Sequence, residues 1–180
     1  MMFAMPAPDP IEVRRLAGRE LDAQLDRLAT VLADCVAGGA SVSYMHPFSH
    51  ADARAAFADW AIDVEQGRRI VLGAFADGEL VGTVQVILAL PPNQPHRGEV
   101  AKMLVHRSAR KRGIGQLLLE HAEAEARVEG KTLLVLDAVT GDDAERLYAR
   151  RGWTKVGVIP GYALYPDGRP CDTTYFFKSL

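Results

Sequence analysis

The first stretch of this chain equipped for chemistry is a basic turn that runs into two glycines. Arg107, Arg110, Lys111 and Arg112 fall within residues 107–112, and Gly113-Ile114-Gly115 follows where a helical pattern begins. A helix start has backbone N–H groups without partners, and residues lacking a side chain let a diphosphate reach them. The spacing Arg110-x-x-Gly113-x-Gly115 is neither the dinucleotide fingerprint G-x-G-x-x-G nor a nucleotide loop ending in Lys-Ser/Thr. Two readings stand: an anion cradle, or a solvated basic turn ahead of a surface helix. Asp137 is the second feature, a carboxylate ending the apolar run Leu133 to Ala138. Ligands of open α/β sheets collect at such strand ends, and an apolar surround raises a carboxyl pKa toward that of a useful base. A capped or salt-bridged carboxylate is the plainer alternative. His46 and His50 have the spacing of metal ligands on a helix, but Pro47 lies between them and no third ligand is near, so no metal is expected. Cys35 and Cys171 lack a C-x-x-C spacing or a neighbouring histidine and read as reduced structural thiols.

Composition sets the frame for these groups. At 180 residues the chain has the length of one domain, and a fold of that size buries about 70% of its extended surface. Its 48% hydrophobic and 24% charged content is that of an ordinary globular protein. A net charge of -2 argues against nucleic acid or anionic membrane as a general partner, so the basic cluster is local. Residues 1–10, with three prolines and no long apolar run, read as a loose tail without a targeting signal, and a cytoplasmic location is expected.

The elements that must position the turn and the carboxylate follow from periodicity. Ile11 to Leu16 reads as a strand, and Glu20 to Val36 as a helix with Leu21, Leu25, Leu28 and Leu32 on one stripe, ended by Gly38-Gly39. A second helix runs from Ser49 to Gln66 with Ala53, Phe57, Trp60 and Val64 inward and Gly67 as its stop. Arg69 to Ala76 and Glu79 to Leu90 form a hairpin about Asp77-Gly78. Prolines at 91, 92 and 95 make a loop before a strand over 99–105. The helix opened by Gly113 is expected to bury Ile114, Leu117, Leu118, His121 and Val128 and to stop at Gly130. Leu133 to Ala138 reads as a strand buried on both faces. A helix capped by Asp142 or Asp143 then carries Ala144, Leu147, Tyr148 and Arg151 to Gly152. Strands over Trp153 to Val158 and Thr173 to Lys178 flank a loop from Pro160 to Arg169.

Met103-Leu104-Val105, Arg110-x-x-Gly113-x-Gly115, a helix, an apolar strand, and Ala144-x-x-Leu147-Tyr148-x-x-x-Gly152-Trp153 occur in that order. This succession resembles the GNAT superfamily of acetyl-CoA-dependent N-acetyltransferases from about Ile11 onward. Gly38-Gly39-Ala40-Ser41-Val42, Glu99-Val100-x-Lys102-Met103, Leu134-x-Leu136-Asp137 and Pro160-Gly161-Tyr162 with Pro166-Asp167-Gly168-Arg169 resemble its tabtoxin-resistance type. The resemblance implies one α/β (α+β) domain over 11–180: a twisted, mixed, mostly antiparallel sheet of about seven strands with four flanking helices. Its two adjacent parallel strands, 99–105 and 133–138, would splay around acetyl-CoA. One departure is Gly141, where many members carry an asparagine that contacts the cofactor.

Roles follow from the same resemblance. Met103, Leu104 and Val105 would pair with the pantetheine arm and polarise the thioester, while Arg110, Lys111, Arg112, Gly113, Ile114 and Gly115 would hold the pyrophosphate. Aminolysis of a thioester needs a neutral amine and a stabilised leaving thiolate, which two proton-handling groups provide without a metal. Tyr148 matches the superfamily's general acid, and Asp137 or Glu99, directly or through water, its base. Tyr44, Met45, Tyr162 and Arg169, on the two unusual loops, are the expected contacts to a small-molecule amine, with Tyr165 and Asp167 beside them. Rival readings are acetylation of a peptide or protein N-terminus and a non-catalytic acyl-CoA-binding module. Similar proteins often form homodimers.

Overall fold

The computed structural model describes residues 10–180; apart from Pro10, the tail expected at 1–10 lies outside the described residues. Seven strands and four α-helices follow in the order β1 (Glu12–Leu16), α1 (Gly18–Ala37), α2 (His50–Glu65), β2 (Arg69–Ala76), β3 (Glu79–Ile87), β4 (Arg97–Val105), α3 (Ile114–Val128), β5 (Leu133–Val139), α4 (Asp143–Arg150), β6 (Thr154–Leu164) and β7 (Pro170–Ser179). They make one sheet with strand order β1-β2-β3-β4-β5-β7-β6. Every pairing is antiparallel except β4 with β5.

The helices cover opposite faces. Leu21, Leu25, Leu28 and Leu32 of α1 and Phe57 of α2 pack with Val71, Phe75 and Leu104 in one cluster. Leu118, Leu119, Ala122 and Ala126 of α3 pack with Leu72, Val84, Leu134 and Phe176 in the other. Ser49 opens α2 with a reciprocal capping box to Asp52. The α3 stripe differs from expectation: His121 and Val128 face solvent, and Leu119, Ala122 and Ala126 are buried instead. Alanines let this helix lie close to the sheet, which turns the buried stripe away from the larger residues at 121 and 128. Glu123 is buried with them because its carboxylate accepts from Trp153 Nε1 at 3.0 Å and Lys178 Nζ at 2.7 Å.

Three further boundaries move. β3 ends at Ile87 because the N–H groups of Leu88 and Ala89 turn to the carbonyl of Arg68. β5 is covered on one face only: Leu134 and Leu136 are buried, while Val135 and Asp137 are not. The first half of the expected loop from Pro160 to Arg169 is strand, since β6 passes through a register shift between Ile159 and Ala163 and turns only at 165–169. That irregularity gives an edge strand room for both Pro160 and Gly161.

Two irregularities of β4 open the sheet at its centre. β4 and β5 share three register pairs, Arg97 with Leu133, Gly98 with Leu134 and Glu99 with Val135, and then separate. On its other side β4 places Lys102 and Met103 opposite Val84 alone, a bulge in which Lys102 takes a φ of 50°.

Candidate active site

Where β4 and β5 diverge, the sheet opens a cleft of about 830 Å³. β4 lines one wall with Val100 to Val105, and Asp137, Ala138 and Val139 of β5 line the other. The starts of α3 and α4 and the segment after α1 close the remaining sides, with Gly113, Gly115, Asp142, Ala144 and Ser41 among their contributions. A second hollow beside Arg14 and Phe75 lies at the far edge of the sheet and holds none of the expected site residues.

At one end of the cleft the basic turn is built as a cradle. Arg107 is pinned to α1: its backbone N–H and its Nε donate to Asp34 at 2.8 and 2.9 Å. Burial alone would raise the Asp34 carboxyl, but these bonds and the charges of His106 and Arg107 hold it below its ordinary value. Arg110 folds back, its Nε donating to the Val105 carbonyl at 3.2 Å. Lys111 and Gly113 both have left-handed backbone, φ 63° and 77°, and Gly113 caps α3. Successive N–H groups therefore converge, and helix geometry leaves those of Ile114, Gly115 and Gln116 without intrahelical acceptors. Gly113, Gly115, Arg110 and Lys111 line the cleft; Arg112 is exposed outside it.

Tyr148 and Asp137 line the same cleft. Tyr148 of α4 is buried among Trp153, Phe176 and Met103, its hydroxyl 3.9 Å from the Met103 sulfur. Burial first, and the charge of Asp137 second, push its pKa well above that of a free tyrosine, so the hydroxyl keeps its proton. Asp137 opens onto the cleft. Crowding by the protein raises its carboxyl pKa, Lys102 opposes that rise and Glu99 adds to it. Glu99 pairs with Val135 in the ladder, two residues before Asp137, and Asp137 pairs with Tyr175, so these three side chains share one face. Glu99 is held by Arg97 Nη1 at 2.7 Å and does not line the cleft, whereas Asp137 does.

The expected acceptor contacts divide. Tyr162 stands beside this face, its hydroxyl accepting from Tyr175 at 2.7 Å. Tyr44 stacks on Phe48 with centroids 4.3 Å apart and offers its ring to Lys102 Nζ at 5.9 Å. Met45 is exposed, and Arg169 projects from the β6–β7 turn, paired with Asp167 at 2.8 Å and lying over the ring of Tyr165. Of the residues after Pro160, Tyr165 is the one that reaches the cleft. Lys102 carries no expected role beyond its place in the motif Glu99-Val100-x-Lys102-Met103, and Tyr175 none. The broken alternation at Lys102-Met103-Leu104 was the available signal for the bulge. Gly141 has a φ of 89°, and its N–H donates to Glu145 at 2.5 Å.

Residues 36–153 match the model of the acetyltransferase (GNAT) family. The chain belongs to that family. This GNAT chain also superposes on solved acetyltransferases over nearly its full length. An N-acetyltransferase from Staphylococcus aureus Mu50 matches with a TM-score of 0.80 at 17% identity, covering 95% of this chain and 99% of that one. A ribosomal-protein-alanine N-acetyltransferase from Brucella melitensis gives 0.80 at 22% identity, covering 94% and 99%. The yncA protein of Salmonella typhimurium, solved with its cofactor acetyl-CoA, gives 0.79 at 20% identity, covering 96% and 95%. At these identities the likeness is one of fold: a seven-stranded, mostly antiparallel sheet with one parallel pair and four helices.

Proposed function

We propose that this GNAT acetyltransferase carries the acetyl group of acetyl-CoA to the primary amine of a small, polar, amino-acid-like molecule, in the manner of the tabtoxin-resistance type. Residues 11–180 act as one catalytic domain. The observation that carries the reading is the cleft itself, whose lining includes the N–H groups at the start of α3 together with Asp137 and Tyr148. The donor set fits a nucleotide thioester: the Gly113–Gln116 amides and Lys111 suit a diphosphate, and the bulged Lys102–Met103 segment has backbone groups released from the β3 ladder.

Asp137 takes a proton from the substrate ammonium, which frees the nitrogen lone pair to attack the acetyl carbonyl. The C–N bond forms, the nitrogen sheds its second proton to solvent, the C–S bond breaks, and Tyr148 gives its hydroxyl proton to the departing thiolate. The proton held by Asp137 returns through solvent to Tyr148, so the enzyme ends unchanged. Asp137 is favoured over Glu99 as base because Glu99 is engaged by Arg97 and stands outside the cleft lining. A peptide N-terminus is a second reading, favoured by the exposure of Ser43, Met45 and Tyr162 on the acceptor side and by the named activity of the Brucella relative.

Incubation with acetyl-CoA and a panel of amino acids, polyamines, aminoglycosides and short peptides, followed by thiol release, tests this. Turnover with small amines supports the first reading, and turnover confined to peptides moves the assignment to the second. CoA binding with no turnover on any amine makes the protein a binding module.

A further inference from the structure

Lys102 is a cation that β4 turns into the cleft by interrupting its own ladder. Its residue is the extra one of the bulge, its φ is 50°, and its ammonium donates to Ser43 Oγ at 2.8 Å. Ser43 is itself left-handed, with a φ of 83°. The contact therefore joins two non-glycine residues held in backbone that L-residues seldom adopt, a pattern that concentrates at binding and catalytic sites. The rings of Tyr44 and Trp60 flank the ammonium at 5.9 and 6.0 Å. Ser43 uses one of its three donor hydrogens.

No ion pair joins Lys102 to a carboxylate among the described residues. The acidic group it feels is Asp137, on the opposite wall, and both residues line the cleft. Burial lowers the Lys102 ammonium pKa; Asp137 opposes that, and the nearby charge of Arg69 adds to it. Arg69 is already matched, by Gln85 Oε1 at 2.6 Å and Asp63 at 3.3 Å, so it has no need of a ligand anion. Lys102 and Asp137 are thus opposite charges on facing walls, each short of a partner at contact distance. A molecule carrying an amine and an anion would supply both.

Building on acetyl transfer in this cleft, we propose that Lys102 binds a carboxylate or equivalent oxyanion of the amine substrate, so that the acceptor is a zwitterion read between Lys102 and Asp137. Lys102 is then a specificity determinant with no part in the proton transfers.

The test compares the standard L-amino acids with their α-amides and methyl esters as acceptors, in the wild type and in Lys102→Gln and Lys102→Arg. The rise in Tm caused by CoA alone is measured in parallel. The wild type is expected to prefer the free acid over the amide by at least about 10-fold in kcat/KM, the scale of one charge-assisted contact. In K102Q that preference should collapse toward unity, mainly through KM for the acid, with the CoA-induced rise in Tm retained; K102R should recover part of it. Equal use of acid, ester and amide by the wild type overturns the proposal. So does an equal loss on all three in K102Q, or turnover of no free acid. Absence of the CoA-induced rise in the wild type removes acetyl transfer in this cleft, and this inference with it.

Discussion

Replacing Gly115 by alanine separates what the α3 start does for the fold from what it does for the ligand. A Cβ built at Gly115 meets Leu147 Cδ2 at 3.5 Å, ordinary van der Waals contact, and no neighbour need move. The residue lies in the first turn of α3, so alanine should stabilise the empty protein by about 0.5–1 kcal/mol through reduced chain entropy. In a domain of this size that corresponds to a Tm higher by roughly 1–4 °C. The same methyl group stands in the cleft where a diphosphate must approach the amides. With CoA at 100 times the wild-type Kd, binding should add about 2.7 kcal/mol, and a tenfold loss of affinity leaves about 1.4 kcal/mol at the same CoA concentration. Thermal melts with and without CoA, with calorimetric Kd values beside them, should therefore show a higher baseline Tm and a CoA-induced rise cut to about half. A variant that melts higher and binds CoA as tightly as the wild type would refute close approach at Gly115. Unchanged affinity would move the diphosphate elsewhere in the cleft.

Other expectations concern the proton-handling groups and the core. Tyr148→Phe removes a buried hydroxyl whose partner is a thioether 3.9 Å away, so Tm should change little while kcat falls about 100-fold, as read by thiol release. Asp137→Asn tests the raised carboxyl pKa. Between the unfolded and the raised folded value the native chain keeps a proton that the unfolded chain has lost, so this group's stability contribution falls as pH rises through that window. The variant should melt at or above wild type near neutral pH, lose that advantage below the ordinary carboxylate range, and lose most activity; a variant melting well below wild type at neutral pH counters the assignment. Glu123→Ala strands the Trp153 N–H and the Lys178 ammonium, and should cost about 2–4 kcal/mol, a Tm lower by roughly 5–15 °C in a thermal melt.

Elements with strong local signals were legible in the sequence. The Leu21-Leu25-Leu28-Leu32 stripe, the Asp77-Gly78 hairpin and the glycine-relieved start of α3 each depend on residues near in sequence, and each is in the structure. Features set by distant contacts were not. The α3 stripe depends on how close its alanines let the sheet come, and β5 looked doubly buried because apolar composition does not reveal that one face lines a cleft. The extension of β6 past Pro160 depends on pairing with β7, which tolerates the register shift. Of the groups that line the cleft, Asp137 and the basic turn stood out by residue type and position, and Tyr148 through the resemblance. Lys102 was only one position of a motif, because its direction comes from an unpaired residue in a ladder whose register only the fold defines.

The sparse contact between β4 and β5 splits the two walls of the cleft between separate parts of the chain. β5 is zipped to β7 over seven register pairs, Leu133 with Ser179 through Val139 with Thr173, and β7 in turn carries β6. The wall bearing Asp137 is therefore tied to the C-terminal hairpin, while the wall bearing Lys102 and Met103 belongs to the preceding hairpin of β3 and β4. On the proposed function, substitutions across residues 154–179 should reach the acceptor through Asp137 and leave Lys102 and the basic turn in place. A protein divided in this way carries the two walls on hairpins that can vary separately.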